Sequence, residues 1–258
     1  MSYTKEYILR SLKKGIRPDG RKLLEYRKIE IKTGISANPE GSASIQIGET
    51  KVLCGIKLAV EKPYPDTADQ GGLMAGVELL PLSSPKFETG PPPIDAIEYS
   101  RVVDRAIREG HAFDTKELCI KEGEKAWFVF VDICPINAAG NLFDTTSLAA
   151  LVALKATKMP EYDEETGFVD YKHLTDQGLP MKSEPLNVTV WKIGEYLIVD
   201  PTVEEEEIAD ARLTVGILED GNLCSMQKGG LSPLSAEEIM KMTDIAIEKS
   251  KELRTYIK

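Results

Sequence analysis

The sequence predicts an α+β fold made of two units, each with its own strands and packed helices, preceded by a short helical arm. Three features carry this expectation. Strand-type alternation clusters twice along the chain, each cluster is followed by helical spacing of apolar residues, and an acidic stretch containing Gly and Pro separates them. The expected division is residues 1–158, a junction over 159–185, and a second unit over 186–258. At 258 residues with 42% hydrophobic content, the chain is long enough to bury one large core or two smaller ones.

The elements follow in order. Ile8, Leu9 and Leu12 share one side of a short helix ended by Gly15 and Pro18, which reads as a docking arm. After the Pro18-Asp19-Gly20 turn, Ile29 and Ile31 alternate with charged residues and begin a strand. Ile45 and Ile47 precede a break at Gly48-Glu49-Thr50, and Val52, Cys54, Ile56 and Leu58 follow it at intervals of two. This is the pattern of a β-hairpin. A Pro- and Gly-rich section then brackets GVELLPL, read as a wide loop around one short strand. From Ile94 to Gly110 the spacing becomes helical, with one apolar and one basic face.

AWFVFVDI has the composition of a buried strand. Asp144 is placed to cap a helix, TTSLAALVALKATK, that Pro160 would stop. So apolar a helix is usually packed on both sides. Beyond the junction, LNVTVWKI, EYLIVD, ARLTVGIL and GNLCSMQKG read as strands, the last two joined through Glu219-Asp220-Gly221-Asn222. Ser235 and Glu238 form a capping box for a final helix carrying Ile239, Met242, Ala246 and Leu253.

Composition narrows the function. A net charge of −10 opposes a protein that coats nucleic acid by itself, so any RNA contact has to be local. No apolar run approaches the length needed to span a bilayer, and the opening MSYTKEYILRSLKKG has no signal-type stretch, so a cytoplasmic location without membrane contact is expected. Cys54, Cys119, Cys134 and Cys224 are scattered without metal-ligand spacing and read as small core residues. His111 and His173 are isolated from each other, leaving little for a histidine dyad or metal site.

The order of IRPDGR, EGSASIQIGETKVLCGI, GVELLPLSS and EYSRVVDRAIRE resembles the RNase PH family of phosphate-dependent 3′-end exoribonucleases over nearly the whole chain. Within it, IRPDGRKLLEYR, NAAGNLFDTTSLAALVAL and DPTVEEEEIADARLTVGI look like the non-catalytic branch of archaeal exosome subunits. The resemblance implies two βαβ-type halves. It also implies a heterodimer with a catalytic RNase PH-like subunit, a hexameric ring of alternating subunits, RNA in the channel and RNA-binding cap proteins. No cofactor of its own is implied, inorganic phosphate and Mg²⁺ being matters for the partner's site.

Phosphorolysis has to hold two anions close together, so its site needs donors for phosphate and carboxylates for proton or metal handling. Active relatives look like Gly-Thr-Arg or Gly-Ser-Arg where this chain has Gly140-Asn141-Leu142-Phe143-Asp144. Leu142 and Phe143 offer no side-chain donor, and Asp144 would repel phosphate. Counted back from Asp210, the carboxylate pair of active relatives falls on Ile198 and Glu204, so one acid is missing. A displaced pair, Asp200 with Glu204, remains open if the strand is regular there, since Asp200 would share a side with Ile198. The run Glu204-Glu205-Glu206-Glu207 reads as a solvated or interface face rather than a metal site, or as a group approaching the partner's active site.

Arg101, Arg105 and Arg108 recur along one helix face, where they could track an RNA backbone or pair with Glu98, Asp104 and Glu109. RNA contact is the favoured reading, because the resemblance places this helix beside the channel. The Lys62–Gly72 loop, with one lysine and two aspartates, lacks the basic clamp of active relatives. Arg17 and Arg21 are read as interface or fold-anchoring residues. Apolar faces on the SLAALVAL helix and the terminal helix would favour a permanent partner.

Overall fold

The computed structural model describes residues 3–257. Met1, Ser2 and Lys258, which belong to the segments read above, lie outside the described residues. The arm is a helix, α1 (Tyr3–Leu12). β1 (Ile29–Thr33), β2 (Gly41–Ile47), β3 (Thr50–Glu61), β4 (Gly72–Val77), β5 (Cys119–Lys121) and β6 (Lys125–Asn137) form the first sheet in the order β1-β2-β3-β6-β4, with β5 paired to β6. The β2–β3 hairpin turns where expected, at Gly48, whose φ of +58° suits a residue without a Cβ. Ile45 pairs with Val52 and Ala43 with Cys54, so the spacing of two puts Val52, Cys54, Ile56 and Leu58 on the buried face.

α2 (Ile94–Glu109), capped by Gly110, crosses behind β4. The strand expected within GVELLPL lies earlier, over Gly72–Val77, and runs parallel to β6. Pro81 has no N–H to extend the ladder, and β4 stops at Val77. β7 (Lys158–Tyr162) and β8 (Val169–Gly178) pair as a two-stranded ribbon in the acidic stretch. The second sheet, β9 (Leu186–Ile193), β10 (Tyr196–Val199), β11 (Ala211–Ile217) and β12 (Leu223–Gly229), is antiparallel in the order β10-β9-β11-β12. α4 (Val203–Ile208) follows β10, and α5 (Ala236–Arg254) closes the chain behind the Ser235–Glu238 capping box.

α3 (Leu142–Lys155) is the keystone. It packs on β2 and β3 of one sheet and β9 of the other, and every residue from Leu142 to Leu154 is buried. The main core therefore runs through both halves, with a smaller cluster under the arm, and α3 has no exposed apolar face to offer a partner. Two expectations about this helix are corrected. It ends at Lys155, before Pro160, which sits in β7, and its N-cap is Asn141 rather than Asp144. The turn preceding α3 carries left-handed backbone at Gly140 and Asn141, which starts the helix one turn earlier than the capping preference of Asp144 suggests.

The arm docks on its own chain. Ile8 and Leu12 are nearly inaccessible and pack with Trp191, Ile193 and Ile198, each such aliphatic burial contributing about 1.5–3 kcal/mol. Ile198, the position where the resemblance sets an acid in active relatives, is thus a core residue beneath α1.

Candidate functional site

Five segments meet at the amino end of α3: the Arg17–Arg27 stretch, the Ala139–Asn141 turn, the amino half of α3, the turn after β10, and α4. Arg17 is 1% exposed. Its Nε donates to Glu205 Oε1 at 2.9 Å, Nη2 donates to the other oxygen of the same carboxylate, and Nη1 and Nη2 donate to the carbonyls of Val199 and Asp200, each at 2.8 Å. Arg17 is therefore a fold anchor that straps the turn after β10 to α4. Arg21 divides its guanidinium between Asp19 and Asp200.

Asp200 is fully buried with φ +48°, so it has left the strand and the parity that would align it with Ile198 does not apply. Its Oδ1 accepts from Arg27 Nη2 (2.7 Å) and Asn141 Nδ2 (2.9 Å). Its Oδ2 accepts from Arg21 Nη1 (2.8 Å), Arg27 N (2.8 Å) and Arg27 Nε (2.9 Å). Five donors use up the lone pairs of a carboxylate. Glu204, by contrast, is exposed on the first turn of α4. A sealed acid and a solvated one do not face a common pocket, so the displaced Asp200/Glu204 pair is not formed.

The four glutamates separate by helix geometry. Glu204 and Glu207 lie three apart on the outer face, where Glu207 pairs with Lys86, while Glu205 takes Arg17 inside. Glu206 turns toward α3, and its Oε1 accepts the backbone N–H of Asn141 at 2.8 Å. Burial pushes its carboxyl up to about 7, opposed by that N–H and by the charges of Arg27 and Arg212. Among the described residues, no group of three or more His, Cys, Asp or Glu is placed to hold a metal ion.

Phe143 points into an aromatic nest, edge-on to Tyr99 with centroids 4.6 Å apart and tilted against Trp191 at 6.3 Å. The Arg212 guanidinium lies 4.4 Å from the Phe143 centroid and pairs with Glu98 at 2.5 Å. The expected repulsion of phosphate by Asp144 is corrected, because that carboxylate faces the core. It accepts Tyr26 Oη at 2.8 Å and Thr189 N at 2.7 Å. Complete burial raises its pKa from an ordinary 3.8 to about 7, against those two hydrogen bonds.

A carboxyl titrating near 7 when folded and near 4 when unfolded binds its proton more tightly in the folded state. Stability from this group is therefore fullest below about pH 4 and is lost as pH rises through about 7. At constant ionic strength the melting temperature is expected to fall between about pH 5.5 and 8, and the near-isosteric Asp144→Asn to flatten that slope. Equal slopes would mean that Asp144 is ionised throughout.

The three arginines of α2 do not behave alike. Arg108 pairs with Asp104 at 2.8 Å and donates to Leu73 O at 3.2 Å, while Arg105 Nη1 reaches Gln227 Oε1 at 3.3 Å. Arg101 is exposed beside a shallow cleft shared with Ala75, Ser100, Asp104 and Arg105. Glu98 is engaged with Arg212 and Gln227 instead of this row. Sequence reasoning missed Arg27, Arg212 and the inward turn of Glu206. Nothing in local spacing separates Arg27 from a surface arginine, whereas Glu206 lies at the i+1 step of a short helix whose orientation only the fold decides.

Comparison with known proteins gives a consistent result. Models of the 3′ exoribonuclease family match residues 25–160 (domain 1) and 184–249 (domain 2). Among similar relatives, the exosome complex component Rrp42 of Thermococcus gammatolerans is 47% identical, covering 98% of this chain and 93% of that protein. Its namesake in Methanothermobacter thermautotrophicus is 43% identical, covering 93% and 89%. A solved Archaeoglobus fulgidus exosome with RNA bound to the active site contains a chain with TM-score 0.91 and 40% identity, covering 99% of this chain and 98% of that one. An archaeal exosome core contains another with TM-score 0.86 and 36% identity, covering 99% and 96%.

Proposed function

The chain belongs to the 3′ exoribonuclease family of RNase PH type, and on that premise we propose that it is a non-catalytic subunit of an archaeal exosome ring. It structures the active site of a catalytic RNase PH-like partner and lines the RNA path for phosphate-dependent 3′-to-5′ degradation. The partner supplies the carboxylates and the phosphate site, with Mg²⁺ if the reaction needs it, in a heterodimer that closes into a hexamer carrying RNA-binding cap proteins. The complex works in the cytoplasm. No described helix is long and apolar enough to cross a membrane.

The observation that carries this reading is the saturation of Asp200. A carboxylate already accepting from Arg21, Arg27 and Asn141 has no lone pair left for a proton, a metal or a substrate hydroxyl. Glu204 alone cannot replace a pair. Co-purification with the catalytic partner tests the assembly, and a chain that stays separate when the two are mixed contradicts it.

Arg101, Arg105 and Arg108 are the RNA-binding residues of this proposal. Each single-strand phosphate contact contributes about 0.7 to the salt slope, so the triple alanine variant in the assembled complex is expected to flatten log K against log salt by up to about 2. Arg101→Ala is expected to account for the largest share, because Arg105 and Arg108 already have partners. Retention of RNA that is unchanged across about 50 to 200 mM salt removes these arginines from the path.

A further inference from the structure

Gln227 of β12 lies between two charged groups of α2. Its Nε2 donates to Glu98 Oε1 at 3.2 Å, and its Oε1 accepts from Arg105 Nη1 at 3.3 Å. Only one orientation of the amide serves both, because a carboxylate only accepts and a guanidinium only donates. Glu98 is itself fixed from the second sheet. Arg212 of β11 pairs with it at 2.5 Å, and the Arg212 guanidinium lies so close over Gly229 that a Cβ there would stand 2.0 Å from Nη1. With side-chain exposures of 13% and 24%, Arg212 and Glu98 form a largely shielded base on which the amide rests.

Arg105, at the end of this row, differs from its neighbour one turn on. Arg108 gives Nε and Nη2 to Asp104, so a carboxylate neutralises it. Arg105 is held through one nitrogen by a neutral oxygen, and among the described residues it has no carboxylate within ion-pair distance. It lines, together with Arg101, the shallow cleft beside Ala75 and Ser100. The amide therefore fixes direction without cancelling charge, whereas a carboxylate in its place would do both. A guanidinium oriented in advance also loses less side-chain entropy when it meets a phosphate.

We infer that Gln227 is a positioning residue for the RNA path: backed by Arg212 and Glu98, its amide holds Arg105 in the cleft beside Arg101 with the guanidinium charge left for an RNA phosphate. This rests on the RNA-path reading of the α2 arginines and deepens it by naming what aims one of them.

The test measures binding of a labelled oligoadenylate by the complex assembled with the catalytic partner, across about 50 to 200 mM salt and without inorganic phosphate, so that the probe stays intact. Gln227→Met keeps the length of the side chain and removes both hydrogen bonds. It is expected to weaken binding about 3- to 10-fold at fixed salt. Arg105→Ala is expected to weaken binding and to flatten log K against log salt by about 0.7. In the Arg105→Ala background, Gln227→Met is expected to change binding by less than about twofold, because nothing is left to aim. Gln227→Glu is expected to flatten the slope as Arg105→Ala does, since the new carboxylate neutralises the guanidinium. Gln227→Met that binds like wild type, or that loses as much without Arg105 as with it, overturns the inference. Should Gln227→Met not assemble, Gln227→Glu decides: a slope flattened only while Arg105 is present supports the inference, and any other result overturns it. Failure of both variants to assemble makes Gln227 a structural strut and overturns it too. If Arg105→Ala leaves binding and slope unchanged, the RNA-path reading fails and this inference with it. An effect of Arg105→Ala without one of Gln227→Met defeats this inference alone.

Discussion

Replacing Arg17 by alanine is expected to cost about 3–5 kcal/mol of folding stability, the largest effect of any substitution at this site. The guanidinium and the Glu205 carboxylate are both shut away from water, with side-chain exposures of 0% and 1%. Removing the cation leaves Glu205 charged and buried and also strips the Val199 and Asp200 carbonyls of their donors. Arg17→Lys is not expected to rescue, because an ammonium cannot donate along the same fork to a carboxylate and two carbonyls. Replacing both Arg17 and Glu205 by residues of similar volume should recover much of the loss, since the penalty lies in the orphaned charge. Urea denaturation of the purified chain measures all three, and a loss below about 1 kcal/mol for Arg17→Ala would mean that water reaches the pair.

Gly140→Ala is the second large effect. The residue has φ +89°, where an ordinary side chain costs about 1–2 kcal/mol. The added Cβ would meet Pro201 O at 2.3 Å and the Thr202 carbonyl carbon at 2.9 Å, both backbone atoms that can yield only if the turn before α4 moves. That movement draws Glu206 from Asn141 and loosens the shell around Asp200. The expected result is a total loss of about 2–4 kcal/mol with faster amide exchange at Asn141, and a neutral substitution would contradict the close packing described for this turn.

Much of this was legible in sequence because local and global preferences agree. The β2–β3 hairpin, α2 with Gly110 and α5 with its capping box stand where periodicity places them. The family and its two-part α+β architecture were legible too, from motifs spread along the whole chain. What failed did so for identifiable reasons. Asp144 has the chemistry of a cap, but a left-handed Gly140-Asn141 turn starts α3 earlier and sends the carboxylate into the core to meet Tyr26 and Thr189. Asp200 keeps strand parity with Ile198 only in a regular strand, and its own φ of +48° breaks that parity. The glutamate run looks uniformly solvated because composition carries no rotation. On α4 each step turns by about 100°, so four identical residues reach solvent, Arg17, Asn141 and Lys86. The missing acid at Ile198 was readable, whereas the sealing of Asp200 by Arg27 and the contact of Glu206 with Asn141 join residues 173 and 65 positions apart in sequence.

The most direct measurement is nucleoside diphosphate release from RNA in the presence of inorganic phosphate, by the purified chain alone and after mixing with its catalytic partner. A chain whose Asp200 is saturated is expected to release none alone, and release is expected to appear with the partner. Robust release by the isolated chain would mean that the shell around Asp200 opens to substrate, and would contradict the closed site on which the account depends.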